Sequence, residues 1–426
     1  MDIKILPAPL SGVINAIPSK SQAHRALICA ALSDMPTRIE CEGTSEDIEA
    51  TAACLSALGA EIRRECSSYI VHPLKHIEDD STATLRCGES GSTFRFLLPI
   101  VAALGKKVLF IPEGRLPERP LSPLYEELVR HGNTLSPQGS VPFASSGRIK
   151  PGQYSLDAGV SSQFISGLLF ALPLLDGDSE LRLSGQIESF PYIRLTLSML
   201  ETFGVATMFK DMVFYIPGGQ TYRSPCDVRV EGDWSNAAFW LTAGAIGGVG
   251  VTCTGLDLQS RQGDRAVLDL LAQFGARVTS NSSFVTVSGG NLRGIRIDAR
   301  DIPDLVPILA VAAVAAEGTT VIHNAGRLRS KESDRLAAVS SVLRGLGADI
   351  HETDDGLLIH GGAPLAGGQV TSWGDHRIVM AAAIAAVLSA EPVVIQGAQA
   401  VRKSYPGFFD DLQLLGGTLA ITKGGD

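Results

Sequence analysis

The chain has 426 residues, 45% apolar and 19% charged, the makeup of an ordinary soluble globular enzyme and too long for one hydrophobic core. A formal net charge of −9 argues against a nucleic-acid partner. Seven cysteines, odd in number and without a C-x-x-C pair, argue against a disulfide framework and a zinc site. No apolar run reaches membrane-spanning length, and the opening MDIKILPAP lacks a basic region followed by an apolar stretch, so neither a membrane partner nor a signal peptide is expected. Reduced cysteines point to the cytoplasm.

In chain order, a short strand at residues 2–6 leads to Pro18-Ser19-Lys20-Ser21-Gln22-Ala23-His24-Arg25, which reads as a helix start. Lys20 and His24 share one face of that helix, and Ser21 and Arg25 share another. Two cations in a first turn oppose the helix dipole, so this start calls for an anionic partner. A solvated basic turn is the plainer alternative. Residues 84–87 alternate as a strand, Glu89-Ser90-Gly91-Ser92 caps a helix through 94–104, and 107–111 form a second strand. The loop over 112–120 holds Arg119 between prolines, and a helix over 123–130 ends at Gly132.

The same strand–helix–strand–helix order, with further strands behind it, returns around residues 154–206, 228–278, 295–350 and 370–419. Ser161, Ser162 and Gln163 put three uncharged hydrogen-bonding groups at one of these helix starts. Residues 305–316 and 379–388 read as buried helices. The densest charged stretch, Arg329-Ser330-Lys331-Glu332-Ser333-Asp334-Arg335, reads as helical, with Lys331 and Arg335 on one face and Glu332 beside them. Like charges at that spacing repel unless an anion sits between them. Asp375-His376-Arg377 and Lys403 are further polar residues in an apolar region.

Two patterns recur through all of this. Gly59, Gly132, Gly204, Gly275, Gly347 and Gly416 stand 73, 72, 71, 72 and 69 residues apart, each just past a helix-like run. Polar caps near Ser19, Ser90, Ser161, Asp233, Asp304 and Asp375 stand 71, 71, 72, 71 and 71 apart. Such self-similarity means six copies of one supersecondary unit, a split βαβ theme in an α/β (α+β) chain. The sixth copy runs out of chain before its last strand, which residues 2–6 are expected to supply. Two domains of three copies follow, one from residues 1–18 and 232–426, the other from 19–231. Uncapped amides at helix starts bind anions, so a cleft lined by several of them would suit phosphate or carboxylate.

The segments PSKSQAHR, GESGSTFR, LPERP, SSQ, ESFPY, IPD, RSKESDR, GDHR and VRKSYPGFF, in this order over nearly the whole chain, resemble the 5-enolpyruvylshikimate-3-phosphate (EPSP) synthases. The resemblance implies a two-domain inside-out α/β barrel of six βαβαββ-type repeats, with the site between the halves. It implies transfer of the enolpyruvyl group of phosphoenolpyruvate to the 5-hydroxyl of shikimate 3-phosphate, with no metal or organic cofactor. It also implies a monomer that glyphosate inhibits. Lys20, Ser21, Arg25, Ser161, Ser162, Gln163, Ser189, Asp304 and Lys331 are expected to hold shikimate 3-phosphate. Lys20, Gly91, Arg119, Gln163, Arg335, Arg377 and Lys403 are expected around phosphoenolpyruvate. Asp304 would accept the hydroxyl proton, with Glu332, Lys20, Lys403 and His376 as the other catalytic candidates.

The chain departs from the family pattern at Glu89, where asparagine is usual, at Phe190, often basic, and at Arg327, often asparagine. The nearest alternative is the sister enzyme acting on UDP-N-acetylglucosamine, which relies on a cysteine in the loop that here runs over 111–120 and has none. A non-catalytic binder of phosphorylated metabolites is the other alternative, and it has no need of a full acid–base set.

Overall fold

A computed structural model describes residues 1–74 and 81–422. The chain divides into two compact units: Met1–Ser19 with Glu231–Asp426 (unit 1), and Lys20–Val230 (unit 2). Among the described residues the strands form six separate four-stranded sheets, three in each unit. In every sheet the first two strands of a repeat pair in parallel, and the last two join antiparallel to them. A parallel pair needs a crossover, and in four of the sheets the opening helix of the repeat supplies it.

Sequence-distant segments complete three of the sheets. Asp2–Leu6 pairs antiparallel with both Val393–Gln396 and Thr418–Thr422, the strand that the sixth copy lacks. Gly12–Asn15 pairs with Val251–Thr254 in unit 1, and Asp227–Arg229 pairs with Thr37–Glu40 in unit 2.

Helices lie inside and sheets outside, which gives the expected inside-out arrangement its physical content. In unit 1 the opening helices Trp234–Gly247, Val306–Ala315 and His376–Ala385 pack on one another and are buried on nearly every side. A helix apolar all round can only be a core helix. The strands alternate buried and exposed positions, as in Gln153–Asp157, so each sheet covers the helices with one face and meets water with the other. All six recurring glycines have positive φ, between +71° and +110°, the left-handed conformation that ends a helix and that a Cβ disfavours. Among the described residues no helix is long and apolar enough to cross a membrane.

Two expectations need correction. Ser90, Ser161, Asp233 and Asp375 do cap their helices, accepting from the backbone amides of Thr93, Gln163, Asn236 and Arg377. Asp304 does not: it lies in a one-turn 3-10 segment, Pro303–Leu305, and its carboxylate is taken by arginines instead; nor does Ser19, whose buried hydroxyl bonds to nothing among the described residues. The charged stretch is not one helical face either. A 3-10 turn ends at Ser330, Lys331 is extended, and a new helix starts at Arg335 because Asp334 caps it by accepting from Ala337 N.

Candidate active site

In unit 2, the helix Lys20–Leu32 brings three of the expected residues together. Lys20 finds the anion its position calls for: Nζ lies 2.7 Å from Asp47 Oδ2. Asp47 sits in the acidic first turn of Glu46–Ala57, where the sequence offers no reason to distinguish it from an ordinary dipole-compensating acid. Arg25 is buried. Its Nε donates to Thr196 Oγ1 at 2.9 Å, Nη2 to the Tyr192 carbonyl at 2.9 Å, and Nη1 to the Ser21 carbonyl at 2.5 Å. Burial pushes it down to about 10, so it stays charged at neutral pH. His24, by contrast, is pushed to about 3 by burial against the pull of Asp47, so it is neutral; its Nδ1 lies 2.6 Å from Thr51 Oγ1. From there a buried chain runs Thr51–Thr93–Ser90, with spacings of 2.6 and 2.7 Å, tying this helix to the start of the next.

Gly91 opens the helix Gly91–Leu104, and the Arg119 guanidinium lies against it: a Cβ at Gly91 would stand 2.9 Å from Nη1. Gln163 donates from Nε2 to Ser92 Oγ at 3.0 Å and accepts at Oε1 from Arg95 Nη1 at 2.9 Å. Ser161 caps its helix and Ser162, buried, is its first residue. Ser189 has φ +53°, and its buried hydroxyl has no protein partner. A strained residue with an orphaned polar atom points to a ligand oxygen. The three departures are placed as follows. Glu89 is exposed and its carboxylate packs against Gly114, while Arg95 is taken by Gln163 and the Pro120 carbonyl. Phe190 packs on Phe209 at 5.8 Å between centroids, with the Arg194 guanidinium 5.0 Å over its ring. Arg327 lies in the 3-10 turn Gly326–Ser330.

In unit 1 a second set converges. Arg335, 1% exposed, is its hub: Nη1 meets Asp304 Oδ1 at 2.8 Å, Nη2 meets Glu332 Oε2 at 2.7 Å, and Nε meets Asp375 Oδ2 at 2.8 Å. Arg377 Nη2 holds the other oxygen of Asp304 at 3.1 Å, and Lys331 Nζ stands 3.8 Å from Oδ1. Lys403 Nζ is 3.9 Å from Glu332 Oε1, and buried His376 has Nδ1 3.7 Å from Asp375 Oδ1. Ser333 donates to Asp375 at 3.1 Å. Asp375 therefore both caps a helix and binds the hub, a double role that no spacing in the sequence announces.

The network sets the charges. Burial alone would raise Asp304, but Arg377, Lys331 and Arg335 outweigh it and hold the carboxyl well below the usual carboxylate range. Burial pushes Lys331 down to about 8 against the pull of Asp304. Burial, reinforced by Asp304, pushes Asp264 up to about 7. Sequence reasoning passed over Asp264 because nothing in its turn, Gly263–Ala266, marks a functional acid. The two sets offer neutral donors with a few cations in unit 2, and a cation-rich acid–base network in unit 1. Each set offers cations or donors that can bind phosphate or carboxylate groups, and the set in unit 1 also offers carboxylates that can take a proton.

A family model described as EPSP synthase (3-phosphoshikimate 1-carboxyvinyltransferase) matches residues 6–412. A 3-phosphoshikimate 1-carboxyvinyltransferase of Clostridium kluyveri is 44% identical over 422 residues, 98% of each chain. One of Clostridium acetobutylicum is 44% identical over 97% of each. A solved EPSP synthase from Acinetobacter baumannii superimposes with a TM-score of 0.82 at 26% identity, covering 99% of this chain and 100% of that one. The enolpyruvyl transferase NikO from Streptomyces tendae shares the fold at 19% identity and a TM-score of 0.79. With the likeness running nearly end to end in sequence and in backbone, this chain belongs to the EPSP synthase family.

Proposed function

We infer that this chain transfers the enolpyruvyl group of phosphoenolpyruvate to the 5-hydroxyl of shikimate 3-phosphate and releases phosphate, a step of the shikimate pathway to aromatic amino acids. The observation that carries this reading is the network around Arg335, which joins Asp304, Glu332 and Asp375 to one buried cation. Asp304 takes the proton of the 5-hydroxyl while that oxygen bonds to the central carbon of the enol. The methylene carbon gains a proton, giving a tetrahedral intermediate. Loss of that proton with cleavage of the carbon–oxygen bond to phosphate completes the exchange. Glu332, Lys403, Lys20 and His376 are the candidates for the second proton, and Lys20 and Lys403 stand beside acids that can share it.

With Arg335 and Arg377 on both its oxygens, Asp304 is a poor base. The same arginines are assigned to phosphoenolpyruvate. As its carboxylate draws them away, Asp304 loses its stabilising cations and its basicity rises towards what proton abstraction requires. The base is therefore armed by the co-substrate. Arg25, Ser21, Ser161, Ser162, Ser189, Gln163 and Lys331 hold shikimate 3-phosphate, and Lys20, Gly91, Arg119, Gln163 and Lys403 complete the other pocket. The reading uses residues of both units and takes the protein as a cytoplasmic monomer.

Purified protein given both substrates should release phosphate, and glyphosate should compete with phosphoenolpyruvate. Silence with this pair, together with turnover of UDP-N-acetylglucosamine, would replace the reading with that of the sister enzyme.

A further inference from the structure

We propose that Arg95 is a positioning residue for this transfer, fixing which end of the Gln163 amide meets the ligands and pinning the loop that carries Arg119. The inference rests on the functional reading above. Arg95 is 5% exposed on the helix Gly91–Leu104, and its guanidinium lies 5.2 Å over the Phe164 ring. One arm, Nη1, donates to Gln163 Oε1 at 2.9 Å; the other, Nη2, donates to the Pro120 carbonyl at 2.9 Å.

The chemistry of the pair decides the orientation. A guanidinium only donates, so Gln163 must turn its oxygen towards Arg95 and its nitrogen away. That nitrogen gives one hydrogen to Ser92 Oγ at 3.0 Å, leaving the second for a ligand. Both substrates are rich in oxygen acceptors. An amide presenting N–H to them attracts, and a flipped amide presenting its oxygen repels.

The second arm holds a residue with no N–H of its own, so its carbonyl is the one backbone group by which it can be tethered. Arg119, the next residue back, then rests against Gly91. The spacing between Arg95 and Gln163 is also fixed, because a Cβ at Gly167 would stand 2.5 Å from the Arg95 carbonyl, and the two helices abut there. A planar fork serves two separated acceptors at set angles, whereas the three donors of a lysine radiate from a single nitrogen.

The test compares the full-length chain with Arg95→Met, Arg95→Lys, Gln163→Ala and the Arg95→Met/Gln163→Ala pair. Phosphate release is followed while each substrate is varied, and melting curves check the fold. Arg95→Met should raise KM for phosphoenolpyruvate about ten- to hundredfold, with a smaller change in kcat, and Arg95→Lys should recover part of it. With Gln163 already removed, losing Arg95 should cost a clearly smaller factor. Unchanged KM values, or the same factor with and without Gln163, overturn the proposal. If Arg95→Met does not fold, Arg95→Lys carries the same comparison. A wild-type protein that releases no phosphate overturns the functional reading alone, because a crystal structure of either Arg95 variant reads the geometry separately. Gln163 should leave Ser92 there, and an unmoved Gln163 sinks the proposal.

Discussion

The two units build their polar clusters on the same repeat with contrasting chemistry. In unit 2 two of the opening helices are capped by Ser90 and Ser161, and around them stand hydroxyls, an amide and backbone carbonyls with the guanidinium groups of Arg95 and Arg119. Its buried Arg25 is held by neutral acceptors. In unit 1 the matching positions are Asp233, Asp304 and Asp375, and the buried Arg335 is held by three carboxylates. Neutral partners leave a cation's charge available to an anionic ligand. Carboxylate partners spend it internally until a ligand competes for it. Unit 2 is thus suited to recognition and unit 1 to proton transfer, although the backbone is the same.

The sharpest way to break this comparison is at Asp304. Asp304→Asn keeps the shape and should lower turnover about 10²- to 10⁴-fold while shikimate 3-phosphate still binds, as phosphate release and calorimetry would report. An active variant would move the base elsewhere. Next in size are Arg335 and Arg25. Arg335→Met strands three carboxylates and should cost about 3–5 kcal/mol in denaturant unfolding. Arg25→Met strands neutral groups and should cost about 1–3 kcal/mol, so equal losses would erase the distinction. Gly91→Ala drives a methyl to within 2.9 Å of Arg119 Nη1 and should raise KM for phosphoenolpyruvate about tenfold, leaving that for shikimate 3-phosphate nearly unchanged.

The smallest effect is the dependence on pH. Lys331, ordinarily 10.5, is held at about 8, so it is charged below that and loses its charge as the pH rises through it. KM for shikimate 3-phosphate should climb on that limb, and Lys331→Arg should remove the climb. Because the unfolded chain holds this proton up to about 10.5, the contribution of Lys331 to stability should grow between about 8 and 10.5.

The sequence was a good guide to whatever repeats. The six glycines have one backbone reason each, and the missing sixth-copy strand was legible as a gap in the pattern. It was a poor guide where one residue takes on a second task. Asp304 stands in register with true caps yet serves two arginines instead. Lys331 and Arg335 are spaced like helical neighbours, but Asp334 starts a new helix between them. Asp47, Asp264 and Arg95 carry no local mark, because their roles come from partners 27, 40 and 68 positions away or from burial itself. For Asp264 the 40-residue separation is that from Asp304, whose charge adds to its burial.

The strand Asp2–Leu6 also bears on how the chain acquires its shape. It leaves the ribosome long before its partners, Val393–Gln396 and Thr418–Thr422. Unit 2 is continuous and can close during synthesis, while the sheet that Asp2–Leu6 joins must wait for those later segments. Until then an unpaired apolar strand is open to the wrong partner, and Lys4 at its centre is the kind of charge that discourages one.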